Sequence, residues 1–227
     1  MGHDGRVEPS PVVACRTIAR PVEAEIEVKR SRFLARLERV PDEAAARAVV
    51  EAARKAHWDA RHHCSAFVLG PDAGTQRSSD DGEPAGTAGA PMLEVLRGRG
   101  LTDVVCVVTR WFGGTLLGTG GLIRAYSDAV REACDAATPV ERRLLQEATV
   151  TVPVAAVGRL ENDLRSRGVV VESTDYGADQ GRSATVHLAV APADRAGLTD
   201  LVAALTAGDA AVVDGATRWV DLPGGAA

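Results

Sequence analysis

The sequence VVCVVTRWFGGTLLGTGGLIRAYSDAVREA, residues 104–133, decides the fold of the first half of the chain. It starts with Val104 to Val108, a continuous apolar run that is typical of a strand buried on both faces. The stretch from Trp111 to Gly121 is rich in glycine and is predicted to be a turn. Apolar residues then recur at helical spacing and predict an amphipathic helix that buries Leu122, Ala125, Tyr126, Ala129, Val130 and Ala133.

Further elements are predicted on the N-terminal side of this stretch. Residues from Thr17 to Val40 have the alternation of extended structure, and Asp42 then opens a helix with apolar residues at helical spacing. A second strand region runs from His62 to Gly70. Residues 71–90 are rich in Gly, Ser and Asp and have no apolar period, so the sequence predicts a long loop there. A short helix is expected over residues 90–98.

The pattern starts again after Pro139 and predicts a second domain. From about residue 145 the periodicities give the order β-α-β-β-α-β, which is that of the split βαβ, ferredoxin-like plan. We therefore predict an α+β chain of two domains, residues 16–144 and residues 145–222. Tails are expected at residues 1–15 and 223–227.

Composition indicates a globular protein of the cytoplasm. Hydrophobic residues make up 45% and charged residues 25% of the 227 residues, which is enough to form real cores. The N-terminus lacks the basic and then apolar pattern of a signal peptide, and no stretch is long enough to span a membrane. The 4 cysteines lie far apart without a C-x-x-C pair, as expected for reduced thiols. We expect a cytoplasmic protein that does not bind membranes.

The charge is distributed unevenly along the chain. A net charge of −5 argues against binding nucleic acid over most of the surface, because phosphates require a positive face. Residues 16–146 nevertheless carry a net charge of +1, whereas residues 147–227 carry −5. Lys29 to Arg61 holds 9 basic and 5 acidic residues, so any surface that faces an anion is predicted to lie there.

One candidate site is the acidic segment Arg77-Ser78-Ser79-Asp80-Asp81-Gly82-Glu83-Pro84. Carboxylates at Asp80, Asp81 and Glu83 are close enough in sequence to bind a divalent cation. The alternative is a plain turn, since Ser, Asp and Gly form hydrogen bonds with their own backbone. The spacing of an EF-hand loop is absent, so we favour the turn and predict no metal.

A second candidate is the glycine-rich stretch before the amphipathic helix, with Gly113, Gly114, Gly118, Gly120 and Gly121. Amide groups at a helix N-terminus favour a phosphate or carboxylate, and Arg110 and Arg124 flank the stretch. The P-loop and dinucleotide-binding spacings are both absent. Glycine also permits close packing of a helix on a sheet, and Arg124 is well placed to pair with Asp128 instead. Both interpretations stay open.

Two shorter motifs carry chemistry. In His62-His63-Cys64, strand alternation places His62 and Cys64 on one face, where a His could activate a thiol. A buried His and a packed Cys are the alternative, and we favour it.

In Lys29-Arg30-Ser31-Arg32-Phe33, three basic residues precede an aromatic. Such a run suits contact with phosphates, or an edge strand whose charges prevent unwanted pairing with other strands.

These motifs together resemble the IMPACT family in order and spacing. The segments that carry the resemblance are Lys29 to Phe33, His62-x-Cys64-x-Ala66, Ser79 to Gly89, and Thr109 to Tyr126. Many relatives have lysine where this chain has Ala90 and often where it has Leu116, so direct anion contact is not expected at those two positions.

The resemblance implies a fold and a function. The N-terminal domain is expected to be similar to elongation factor G domain four and to the second domain of a small-subunit ribosomal protein, and the C-terminal domain to elongation factor G domain five. Eukaryotic relatives resemble translational regulators that act through a protein partner of a stress kinase. The bacterial members are expected to bind nucleic acid or ribosomes.

The leading hypothesis is therefore a translation-associated regulator that binds RNA, the ribosome or a translation-associated protein, without a cofactor. The residues expected to contribute are Lys29, Arg30, Arg32, Arg77, Asp80, Asp81, Glu83, Arg110, Gly113, Gly114, Gly118, Gly120, Gly121, Arg124 and Tyr126. Two alternatives stay open. One is a hydrolase-type enzyme that uses His62 and Cys64, or a metal held by the acidic segment. The other is a protein-interaction module that does not bind nucleic acid.

Overall fold

The structure, a computed structural model, describes residues 12–222. Among them, residues 14–142 with residue 222 form one compact unit, and residues 12–13 with residues 143–221 form the other. The fold is a mixed α+β fold with two sheets. No helix in the described part of the chain is long and apolar enough to cross a membrane.

The first unit contains one complete sheet and three helices. Its strands are β1 (Ala14–Ile18), β2 (Val22–Val28), β3 (Ser31–Arg39), β4 (His62–Leu69), β5 (Thr75–Ser79) and β6 (Val104–Trp111). Its helices are α1 (Glu43–Ala56), α2 (Gly89–Gly98) and α3 (Gly118–Ala136). Five of these strands form an antiparallel sheet in the order β2-β3-β6-β4-β5, which places β6 at the centre.

The central strand β6 is buried on both faces, as its sequence predicted. Val104, Cys106 and Val108 pack in a cluster with residues of α2 and α3. Val105 and Val107 point to the opposite face and pack with residues of α1. All five side chains have 0% exposure. One helix layer therefore covers each face of the sheet.

The helices α1 and α3 follow the predicted patterns. Asp42 caps α1, since its carboxylate accepts a hydrogen bond of 2.8 Å from the Ala45 amide. The six apolar positions predicted along α3 are all buried. This helix begins at Gly118, however, so three of the glycines assigned to a turn lie in its first turns.

One strand was not predicted. β5, with the sequence TQRSS, lies inside the expected long loop and pairs antiparallel with β4. It is the last strand of its sheet, and its residues are exposed or half-buried. An edge strand with little burial has no apolar alternation, which is why its sequence resembles a loop.

The second unit has the predicted β-α-β-β-α-β order. Its elements are most of β7 (Pro139–Pro153), α4 (Val154–Ser166), β8 (Val170–Ala178), β9 (Ser183–Val190), α5 (Arg195–Thr206) and all but the last residue of β10 (Val212–Leu222). In its sheet β7 pairs with β9, β9 pairs with β8, and β10 pairs with β7. This is the strand order of a split βαβ sheet. Val157, Leu160 and Leu164 of α4 are buried against it.

The predicted division between residues 144 and 145 falls inside β7, which continues without interruption from Pro139 to Pro153. Two independent domains therefore stay a prediction. Of the predicted tails, residues 1–11 and 223–227 lie outside the described residues, and β1 begins at Ala14.

Candidate binding site

The basic run at Lys29 forms the tip of a β-hairpin. Val28 of β2 pairs with Ser31 of β3, so Lys29 and Arg30 are the two residues of the turn. Their φ angles of 48° and 66° are those of the left-handed region, which two-residue hairpin turns require. Both side chains are exposed at the tip.

The glycine-rich stretch packs directly on this hairpin tip. A Cβ atom at Gly113 would lie 2.0 Å from the Arg30 carbonyl carbon, so no other residue fits without movement of the backbone. The Gly113 amide donates to Ser31 Oγ at 3.1 Å, and Arg30 Nη2 donates to Thr115 Oγ1 at 3.2 Å. Close packing is thus the role of Gly113, and it fixes the hairpin beside the start of α3.

A cleft of about 370 Å³ lies between the hairpin tip and α3, and we call it the basic cleft. Its lining includes Lys29, Arg124 and the glycines Gly120 and Gly121. Neither cation forms an ion pair within residues 12–222. Asp128 also lines the cleft, but it pairs with Arg131 at 2.5 Å and not with Arg124.

The other basic candidates lie elsewhere. Arg32 stacks on the Trp111 ring, with Cζ 3.8 Å from the ring centroid, and lies 3.6 Å from a Glu25 oxygen. Arg77 lies on β5, at the opposite edge of the sheet from β2. The sheet therefore separates Arg77 from the basic cleft.

Glu83 is the centre of a buried polar cluster. It accepts hydrogen bonds from Arg110 Nη1 at 2.6 Å and from the Tyr126 hydroxyl at 2.7 Å. The side chains of Glu83 and Arg110 are only 3% and 7% exposed. Burial raises the pKa of the Tyr126 hydroxyl far above its usual range, so that hydroxyl stays a neutral donor. Arg110, expected to face an anion, is thus paired inside the protein.

Asp80 organises the loop that precedes α2. Its carboxylate accepts hydrogen bonds from the amides of Gly86, Ala88 and Gly89 at 2.8, 3.0 and 2.8 Å. Burial acts to raise the pKa of Asp80, but these three backbone hydrogen bonds outweigh burial and hold that pKa below its usual value. Asp80 therefore acts as a cap for the start of α2.

The three carboxylates of the acidic segment have different partners. Asp81 accepts hydrogen bonds from Arg54 and from the His63 amide, each at 2.7 Å. Asp80 binds backbone amides, and Glu83 binds the buried cluster. Within residues 12–222, no group of three or more His, Cys, Asp or Glu side chains is arranged to hold a metal ion.

His62 and Cys64 differ in their access to solvent. Cys64 is fully buried, with Sγ 3.1 Å from the Asp80 carbonyl oxygen and 3.3 Å from Tyr126 Oη. Burial raises the pKa of the Cys64 thiol to about 12. His62 is half-buried, and its Nδ1 lies 2.9 Å from the Asp81 carbonyl oxygen. Since a carbonyl only accepts, Nδ1 donates, and in the neutral ring Nε2 is left as an acceptor.

We expect the Cys64 thiol to resist alkylation in the folded protein, because the thiolate is the reactive form and burial disfavours it. Because burial raises the pKa of the Cys64 thiol from 9.0 to about 12, iodoacetamide at neutral pH is expected to modify Cys64 about a thousand times more slowly in the folded protein than in the urea-unfolded chain. Peptide mapping by mass spectrometry measures this. Rapid labelling of Cys64 under native conditions would contradict this prediction and support the alternative of an enzyme that uses the Cys64 thiol.

The two motif loops meet at a second cavity of about 460 Å³, which we call the apolar cavity. Glu83 and Pro84 of the acidic segment line one side, and Leu116 and Leu117 of the glycine-rich stretch line another. The sequence patterns predicted a buried Leu122 but assigned none of the apolar lining residues to a site. Their only signal is the presence of large apolar side chains, such as Phe112 and Leu116, within a predicted turn.

Comparisons with known proteins match the same part of the chain. The family model "Impact N-terminal domain" matches residues 29–134, which include the tip of the hairpin, both loops and most of α3. IMPACT family member YvyE of Bacillus subtilis (strain 168) is 43% identical over 160 residues, covering 70% of this chain and 74% of that protein. The chain belongs to the IMPACT family. The resemblance of its motifs is thereby confirmed.

Other IMPACT family proteins and a solved structure extend the likeness. IMPACT family member YigZ of Escherichia coli (strain K12) is 43% identical over 162 residues, covering 70% of this chain and 79% of that protein. A crystal structure titled as that of a hypothetical protein is similar with a TM-score of 0.59 and 36% identity. That match covers 88% of this chain and 97% of the other, so the likeness extends through both units.

Proposed function

We propose that this IMPACT family protein is a translation-associated regulator in the cytoplasm that binds RNA on the ribosome through the basic cleft. The observation that carries the proposal is that Lys29 and Arg124 line one cleft and are unpaired within the described residues 12–222. Cations that lack protein partners are those that bind phosphates without first breaking an ion pair.

The backbone around the cleft supports the same role. Gly120 and Gly121 line the cleft without side chains, and they lie in the first turn of α3. Amide groups at a helix N-terminus favour a negative ligand. A phosphate beside these glycines would therefore be stabilised by the helix and by both cations.

We also propose that residues 145–222 form a separate domain that does not contact the RNA. Residues 147–227 carry a net charge of −5, which opposes phosphate binding. The proposed role in translation also agrees with the motif resemblance, which implies likeness to domains of elongation factor G. That likeness is an argument from fold.

Cosedimentation with purified ribosomes across a salt series tests the proposal. The wild-type chain is expected to pellet with ribosomes at low salt and to dissociate as salt rises. The double variant Lys29→Gln/Arg124→Gln should bind more weakly at every salt concentration. The slope of log K against log salt should fall by about 2, since about one phosphate contact is lost for each cation.

A matched variant controls for net charge. Lys55→Gln/Arg159→Gln also removes one lysine and one arginine, from the last turn of α1 and from α4. It should bind as the wild type does. The proposal is wrong if the wild-type chain does not pellet at low salt, if both double variants behave alike, or if binding survives nuclease digestion of the ribosomal RNA.

A further inference from the structure

We propose that the apolar cavity binds a small carboxylate that has an apolar body and a single negative charge. The cavity is distinct from the basic cleft, since the two share only Leu117 among their lining residues. Its volume of about 460 Å³ lies in the range of cavities that bind small molecules. The proposal does not depend on RNA binding.

The walls of the cavity fit an apolar body. Phe112, Leu116, Leu117 and Leu122 all line it. Phe112 is 44% exposed and Leu116 is 83% exposed, so both apolar side chains face water in the protein alone. A bound apolar group would cover this surface, and removing apolar surface from water is favourable by about 25 cal/mol per Å².

Polar groups at the cavity fit one carboxylate. Arg61 lines it, is exposed and forms no ion pair within residues 12–222. Arg110 also lines it, and its buried Nε has no hydrogen-bond partner among the described residues. A buried donor without a partner is unfavourable, so a ligand oxygen that reached it after a small shift of the cavity wall would remove that cost. Gly118 and Thr119 also line the cavity and lie at the N-terminus of α3, which carries a partial positive charge.

The charge balance selects the type of anion. Glu83 and Arg110 neutralise each other across 2.6 Å, which leaves Arg61 as the only uncompensated charge among the described lining residues. The charge of a monoanion is balanced by Arg61, whereas a phosphate dianion would leave one negative charge without a partner in the cavity. His62 Nε2 lies 4.0 Å from Glu83 and offers an acceptor to a hydroxyl or amide donor on the ligand.

Hydrocinnamate is a suitable probe, because it joins a phenyl ring to one carboxylate. In titrations followed by methyl NMR of the full chain, it should shift the signals of Leu116, Leu117 and Leu122 saturably, at about millimolar concentration for a ligand of this size. The uncharged hydrocinnamide should bind at least about threefold more weakly. An acetylated tripeptide ending in Phe, compared with its C-terminal amide, tests whether the carboxylate is supplied by a chain terminus.

Two variants locate the site. Arg61→Gln should weaken hydrocinnamate binding by about threefold to fivefold, while Arg77→Gln, which removes an exposed cation from β5, should not. Thr119→Phe places a ring at the exposed start of α3 and should abolish binding without unfolding the chain, as circular dichroism would verify. The proposal is overturned if no saturable shift is seen up to about 10 mM, if acid and amide bind equally, or if both arginine variants behave alike.

Discussion

Replacing Glu83 by alanine is expected to lower the free energy of unfolding of the first unit by about 3–5 kcal/mol. The reason is that the Arg110 side chain is only 7% exposed and forms an ion pair with Glu83 at 2.6 Å. Without the carboxylate a guanidinium charge stays buried and uncompensated. Tyr126 loses the acceptor of its hydroxyl in the same change.

Urea denaturation followed by NMR amide signals of β6 measures the stability of this unit alone. Glu94→Ala is the matched control, because Glu94 has a side chain that is 69% exposed and pairs only on the surface of α2. Its effect should stay within about 0.5 kcal/mol.

A double variant separates the lost ion pair from simple loss of packing. Glu83→Ala/Arg110→Met removes the unpaired charge as well as its partner, so it should be more stable than Glu83→Ala alone. If the double variant is instead destabilised by the sum of the two single changes, the buried charge is not the cause. In that event the cluster would contribute only packing.

The sequence predicted those strands and helices in which buried apolar residues recur at the spacing of the element. β6 alternates between two covered faces and is apolar throughout, whereas α3 has an apolar stripe with charged residues opposite. Both patterns are set by local geometry, so a single stretch of residues contains all the information. β5 has no such pattern because it lies at an edge, and its pairing partner β4 decides that it is a strand.

Side-chain partners in the candidate site could not be predicted in the same way. Arg110 and Glu83 are separated by 27 residues, and nothing local distinguishes a cation that faces solvent from one that pairs inside. The sheet register places Arg110 opposite His62, and only this tertiary arrangement brings the acidic segment to the end of β6. Asp80 likewise looked like a metal ligand or a turn residue, and it caps a helix.

The glycine-rich stretch contains glycines that fit close packing and glycines that fit anion binding. Gly113 lies against the Arg30 backbone and has no room for a side chain, so it is needed for packing. Gly120 has open space around the position of a Cβ and lines the basic cleft. Spacing in the sequence is the same whichever role a glycine has, since the neighbour that excludes a Cβ belongs to a distant strand.

Replacing Gly113 by alanine is therefore expected to destabilise the first unit by about 2–4 kcal/mol. A Cβ at 2.0 Å from the Arg30 carbonyl carbon and 2.1 Å from its oxygen meets backbone, which cannot rotate away as a side chain would. The hairpin tip or the glycine-rich stretch must move. Amide signals of Lys29 and Arg30 should shift more than those of residues in the second unit.

Gly120→Ala is the matched substitution, because it adds the same methyl group within the same stretch. Nothing lies within 4 Å of a Cβ there, and the residue is helical in α3. Alanine is favoured over glycine in a helix, so the free energy of unfolding should rise by up to about 1 kcal/mol. Equal destabilisation by both substitutions would mean that loss of glycine flexibility, and not contact with the hairpin, explains Gly113. Opposite signs would establish that the contact with the hairpin tip requires a glycine at position 113.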